Sequence, residues 1–258
     1  MIDVSNPNTF PSELSNLVLA QLGLIPPKDL QSIKNTSVKN NNDVLCAIEK
    51  NLGPGSAYSL YHNELIPMFC QHELLCYHAT RVGTPEDIRI QGLFSDMEKY
   101  KQHLIGFLRN ENVNEDTINI TIDLICHEYS RKYSGKPHNI CFFTNYKSLY
   151  DKDGYAAYDQ FYETVGGELA SWALESKLPE ILNVLRTKGI PVVVKFKIPF
   201  SRIACYDQEG LIYQFVSAVA AKNLWDFNYM VEADSSLTGD VPPTDIISII
   251  PIEEKKKV

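Results

Sequence analysis

Residues 190–198 constrain the fold more than any other segment, because six of these nine residues are β-branched or aromatic. Such a run is typical of a β-strand. Another strand is predicted from Glu73, where the side chains alternate with a two-residue period. Further β-prone runs occupy residues 140–144, 227–233 and 246–252. Most of the sheet therefore follows a group of predicted helices, an order that favours an α+β fold over a doubly wound parallel one.

The first 65 residues are predicted to be helical. Leu14, Val18 and Leu22 recur at helical spacing, and a second helix is predicted from Asn42 to a stop at the sequence Gly-Pro-Gly. We expect an N-terminal helical extension over residues 1–65 and an α+β domain over residues 66–258.

Charge and composition disfavour several classes of protein. The chain has 258 residues, of which 44% are hydrophobic, and a formal net charge of −8. This acidic balance disfavours broad attraction to nucleic-acid phosphates or to an anionic membrane. No segment reaches the about 18 apolar residues of a membrane-spanning helix, no export signal is found, and the six cysteines are scattered through apolar segments. We expect a cytoplasmic protein with reduced thiols and no membrane contact.

The sequence contains none of the common motifs for binding a nucleotide or a metal ion. It has neither a glycine-rich phosphate loop nor a dinucleotide fingerprint, so a nucleotide would be held in another way. Zinc-ligand residue types do occur together, but their spacing departs from that of familiar zinc sites, and we expect no metal. This cluster consists of Cys70, His72, Cys76 and His78. A cysteine and histidine nucleophilic pair has no local signature either.

Three blocks of the sequence resemble the ADP-ribosyltransferase superfamily, in the branch of diphtheria-toxin-like and poly(ADP-ribose) polymerase-like enzymes. The first is YHATR at residues 77–81, followed by Ile88 and Gly92-Leu93. The second, ICFFTN at residues 140–145, is similar to the strand that stacks the nicotinamide ring. The third, NYMV at residues 228–231 with the β-prone run near the end, is similar to the final strand pair. The blocks occur in the family's order.

The resemblance implies a split, mainly antiparallel β-sheet in the domain after residue 65. It implies a mono-ADP-ribosyltransferase that cleaves NAD and transfers ADP-ribose to a macromolecule, in the setting of a bacterial toxin, a delivered effector or a phage-defence protein. The acidic balance favours a protein acceptor over nucleic acid. We expect the N-terminal helices to bind a partner such as an inhibitor or antitoxin, or to serve as a targeting surface. The alternatives are an NAD glycohydrolase, an enzyme that removes a 2′-phosphate from RNA, and an inactive module that binds NAD or a partner.

The first block supplies the predicted contacts to the sugar and phosphates of NAD. His78 and Thr80 lie at positions i and i+2 of a strand and project from the same face. Neutral donors and acceptors of this kind suit the hydroxyls of the ribose on the adenosine side of NAD. Arg81 is expected to reach a pyrophosphate oxygen or, alternatively, to form a surface salt bridge.

Aromatic residues are expected to stack on the nicotinamide. The resemblance assigns this role to Phe142 or Phe143 on the second strand, where phenylalanine replaces the family's tyrosine. It also assigns a tyrosine that follows this strand, and the candidates are Tyr150, Tyr155, Tyr158 and Tyr162, of which we favour the last two.

A carboxylate is needed to stabilise the oxocarbenium-like ribose as the glycosidic bond breaks. The position of the family's catalytic glutamate falls on Asn228, a departure that favours the inactive alternative. Glu168 and Glu232 are the candidate replacements. We favour Glu168, because it follows two glycines at a predicted helix start, where the backbone is accessible and the helix dipole favours negative charge.

Overall fold

A five-stranded antiparallel sheet organises the α+β fold, as predicted. The computed structural model describes residues 1–4, 6–36, 42–134, 139–145, 164–225 and 234–252. The strands are β1 (Glu73–Val82), β2 (Ile140–Phe143), β3 (Ile190–Pro199), β4 (Asp234–Leu237) and β5 (Ile246–Pro251), in the spatial order β4-β2-β1-β3-β5. The predicted strand over residues 227–233 lies outside the described residues.

The run that dominated the sequence pattern is confirmed as β3. Its residues Val192, Val194 and Phe196 are fully buried. β3 pairs antiparallel with β5, with Val194 opposite Ile249, and the register shifts between Lys195 and Phe196. Burial of this branched run contributes about 1.5–3 kcal/mol per large side chain.

Helices fill much of the remaining chain. They are α1 (Ser12–Leu22), α2 (Pro27–Thr36), α3 (Asn42–Leu52), α4 (Ser56–Ser59), α5 (Ile66–Phe69), α6 (Pro85–Gln91), α7 (Met97–Asn110), α8 (Glu115–Tyr133), α9 (Gly167–Leu174), α10 (Pro179–Thr187) and α11 (Cys205–Trp225). A π-helical segment, Leu60–Leu65, joins α4 to α5. Within the described ranges, no helix combines the length and apolar character needed to cross a membrane.

The chain divides into two compact units. The first unit comprises Met1–Cys76, Phe143–Tyr146 and Lys197–Ser236, and the second comprises Tyr77–Phe142, Lys147–Phe196 and Leu237–Val258. In the first unit, α1 and α3 pack against α11, more than 150 residues later in the chain. The helical spacing of apolar residues predicts α1 and α3. It does not predict that their buried faces pack against α11.

Aromatic rings form part of the core of the first unit. Phe69 contacts both Phe200 and Phe215, with ring centroids 5.0 and 4.8 Å apart, and the second pair is edge to face. Phe10 lies 4.7 Å from Phe215 on the other side. Such pairs add about 0.5–1.5 kcal/mol each beyond the area they bury.

The core of the second unit contains buried residues of four helices, α7 to α10. The apolar stripe of α8 faces this core, since Ile118, Ile125 and Tyr129 are buried. Ser134 ends this helix with a left-handed φ of 51°.

The segment after β1 follows its sequence signals closely. Thr84 and Asp87 form a reciprocal capping box at the start of α6, which ends at Gly92. Leu93 then pairs with Val241 through two backbone hydrogen bonds of 2.9 and 2.7 Å. These contacts fix both ends of α6 beside the cavity described below.

Candidate functional site

A cavity of about 200 Å³ lies in the second unit. Its walls come from β1, the start of β2, α6, α7, the end of α8 and the start of α9. Four of the residues predicted for NAD lie on these walls, although they come from segments about 90 positions apart: His78, Thr80, Arg81 and Glu168.

His78 and Thr80 lie on the cavity face of β1, as the two-residue period predicts. Both are half-buried, whereas Ala79 between them is buried. The His78 Nδ1 lies 2.7 Å from the backbone oxygen of Cys141. Because a carbonyl oxygen only accepts, Nδ1 carries the hydrogen, and Nε2 of the neutral ring is then an acceptor. The imidazole therefore has a fixed orientation on β1.

Arg81 is buried in the wall of the cavity. Only 4% of it is exposed. Its Nη1 donates to the backbone oxygen of Gly189 at 2.6 Å. A Cβ at Gly189 would lie 2.7 Å from the Arg81 Cγ, so the absence of a side chain there makes room for the arginine. A hydrogen bond to a charged group contributes about 1.5–3 kcal/mol.

The two glycines before Glu168 shape the start of α9. Gly166 has a φ of 87°, and a Cβ there would lie 2.5 Å from the Tyr100 hydroxyl. That hydroxyl donates to the backbone oxygen of Gly166 at 2.8 Å. Burial raises the pKa of Tyr100, so its hydroxyl keeps its proton at neutral pH. The glycine pair is therefore required by the backbone and by the close approach of Tyr100, and it places Glu168 at the cavity.

Glu168 lies in the first turn of α9 and interacts with one lysine. The Lys132 Nζ is 3.7 Å from a Glu168 carboxylate oxygen, which is an ion-pair distance and too long for a good hydrogen bond. The same Nζ lies 3.5 Å from the centre of the Trp172 ring. A cation in this position is attracted to the ring face. Trp172 thus helps to hold the lysine that orients the carboxylate.

Aromatic side chains that the sequence interpretation did not select line the cavity. Burial, with smaller contributions from Cys141 and Glu168, raises the pKa of Tyr133 to about 12. Burial lowers the pKa of His103, against an opposing effect of Asp87, so His103 is neutral at pH 7. The His103 ring lies edge-on to Phe94, with the centroids 5.8 Å apart. Tyr100, Tyr133 and His103 lie on helices where their spacing resembles that of core residues, so no local signal marks them.

The predicted stacking residues of β2 are buried and do not line the cavity. Phe142 is fully buried and meets Phe196 edge to face, with the ring centroids 6.2 Å apart. Phe143 is 5% exposed, and neither ring lines the cavity. The neighbours Ile140 and Cys141 line it instead. β2 therefore borders the cavity only at its start, and its two phenylalanines belong to the core.

The other predicted residues, Tyr150, Tyr155, Tyr158, Tyr162, Asn228 and Glu232, lie outside the described residues. Among the described residues, no group of three or more His, Cys, Asp or Glu side chains could hold a metal ion. Comparison of the chain with protein families, with curated proteins and with solved structures gives no match.

Proposed function

We propose that this chain is a mono-ADP-ribosyltransferase that cleaves NAD and transfers ADP-ribose to a macromolecule, with protein favoured as the acceptor. One observation carries the proposal. His78 and Thr80 on β1 and Glu168 on α9, which the family resemblance led us to assign to NAD, border a single cavity. A carboxylate, two neutral polar groups and aromatic walls are the chemistry that a nicotinamide riboside requires.

The size of the cavity limits which part of NAD it encloses. Typical small-molecule sites measure about 300–1,000 Å³. At about 200 Å³, this cavity would enclose one end of the extended dinucleotide, and the remainder would lie outside it. We assign the nicotinamide and its ribose to the cavity, because Glu168 must lie close to the bond that breaks. Tyr133 is the candidate to stack on the nicotinamide in place of the two buried phenylalanines.

The reaction proposed for this site breaks the bond between the ribose C1′ and the nicotinamide nitrogen. The bonding electrons leave with nicotinamide, and positive charge develops on the ribose. The Glu168 carboxylate would stabilise that charge, and a nucleophilic atom of the acceptor would then bond to C1′ and lose its proton. His78 Nε2 would accept a hydrogen bond from a ribose hydroxyl and hold the sugar in place.

The proposal is tested with NAD that carries the label in its adenylate half. Purified protein is incubated with labelled NAD and a cell lysate, and the products are separated into macromolecules, free ADP-ribose and unreacted NAD. Label on a macromolecule supports the proposal, and protease or nuclease treatment identifies the acceptor class. Free ADP-ribose alone would instead assign NAD hydrolysis, and NAD binding without turnover would assign a binding module.

We expect His78→Ala to weaken NAD binding about two- to tenfold, because one hydrogen bond contributes about 0.5–1.5 kcal/mol. The Kd is measured by calorimetry on the whole chain. His127→Ala is the matched control, since His127 is exposed on α8 and does not line the cavity. Equal affinities in the two variants would remove His78 from the NAD site.

A further inference from the structure

A second cavity, of about 790 Å³, lies in the first unit among α3, the helical segment 56–69 and α11. Its volume falls within the range of small-molecule sites. Neither the sequence patterns nor the proposed transferase chemistry uses the residues that line it. We call it the tyrosine cavity, after three of its residues: Tyr58, Tyr61 and Tyr213.

Aromatic rings make up much of the wall of the tyrosine cavity. The rings of Tyr61 and Tyr213 pack with centroids 4.7 Å apart. Tyr58 and His62 form a second pair with centroids 4.1 Å apart. Tyr58 is 63% exposed, so its ring remains open to a ligand, whereas Tyr61 is 3% exposed. Ring faces of this kind attract cations, and organic ammonium groups most of all.

Two carboxylates border the same rings. Glu49 is fixed by the backbone, because its oxygens accept from Gly55 N at 2.8 Å and from Ala57 N at 2.9 Å. A Glu209 oxygen lies 3.2 Å from the His62 Nε2. Burial raises the pKa of Tyr213, and the nearby charges of Glu209 and Glu49 raise it further. Negative charge thus acts on the aromatic wall from two helices.

The wall of the tyrosine cavity also contains one lysine and one buried tyrosine hydroxyl. Lys50 is an exposed lining residue and supplies the one opposing fixed positive charge among the described lining residues. Tyr61 lies in the π-helical segment Leu60–Leu65, and its buried hydroxyl has no hydrogen-bond partner among the residues that the structure describes. Isolated π-helical turns occur often at functional sites, and an unpaired buried polar group calls for an explanation.

We propose that the tyrosine cavity binds a small organic ammonium cation, held by the faces of Tyr58 and Tyr213 and by the charges of Glu209 and Glu49. A quaternary ammonium group fits this wall, because it is large, weakly hydrated and needs no hydrogen-bond acceptor of its own. The inference does not rest on the proposed transferase activity.

The first test compares two ligands of nearly the same shape on the whole chain. Choline carries a trimethylammonium group, and 3,3-dimethylbutan-1-ol is its neutral analogue. We expect choline to bind, by calorimetry or ligand-observed NMR, at least about tenfold more tightly than the neutral analogue, because charge is the difference between them. Equal affinity, or the absence of choline binding at tens of millimolar, would overturn the proposal, and this comparison needs no variant.

The second test locates the site. We expect Tyr213→Leu to weaken choline binding about tenfold and Tyr213→Phe, which keeps the ring face, to leave it within about twofold. Glu209→Gln is expected to weaken binding of choline several-fold and to leave the neutral analogue unchanged. Equal losses in Tyr213→Leu and Tyr213→Phe, or no change in Glu209→Gln, would show that the cation binds elsewhere.

Discussion

Label transfer from NAD is expected to fall about 100- to 1,000-fold in Glu168→Gln, with little change in folding. The amide keeps the size of the side chain but removes the charge that would stabilise the developing positive ribose, and loss of one such electrostatic contact has effects of this magnitude. The measurement is the initial rate of label transfer at saturating NAD, together with the urea unfolding midpoint. Because Glu168 is half-buried at a helix start, its replacement leaves the core of the second unit intact.

Glu175→Gln is the matched control, since Glu175 is exposed at the end of the same helix and does not line the cavity. It is expected to keep full activity. Full activity in Glu168→Gln would move the carboxylate role to Glu232. Loss of activity with a lowered unfolding midpoint would indicate instead that Glu168 contributes through its ion pair with Lys132.

The sequence predicts the parts of the fold that depend on the local spacing of apolar residues, namely individual strands and helices. The two-residue period of β1 and the branched run of β3 were sufficient to identify these strands. A period identifies the buried face of an element, but not the element that covers it. The spatial order β4-β2-β1-β3-β5 and the packing of α1 on α11 depend on contacts between distant residues.

For the candidate site too, local spacing predicts the position of some residues but not of others. His78 and Thr80 could be placed together because the i and i+2 spacing fixes their face, and Glu168 because two glycines begin its helix. Phe142 could not be placed in the same way, since an aromatic residue suits a core as well as a ligand. Tyr133 comes to the cavity from the end of α8, and only the tertiary packing of that helix brings it there.

Gly92→Ala is expected to lower the free energy of unfolding by at least about 3 kcal/mol. Gly92 has a φ of 75° and a ψ of −159°, a conformation essentially restricted to glycine, which costs other residues about 1–3 kcal/mol. A Cβ there would also lie 2.0 Å from the backbone oxygen of Val241. Relief of that contact requires the pairing between Leu93 and Val241 to separate, with loss of two hydrogen bonds.

Gly106→Ala separates this effect from the general effect of adding a methyl group to glycine. Gly106 lies within α7, and among the described residues a Cβ there would meet no atom within 4 Å outside its own helix. We expect this control to be more stable than the parent chain by about 0.5–1 kcal/mol, because alanine favours the helix. Urea unfolding of both variants measures the difference. If Gly92→Ala were as stable as the parent chain, the turn after α6 would have to adopt another conformation, and the cavity wall that Gly92 forms would differ from the one described.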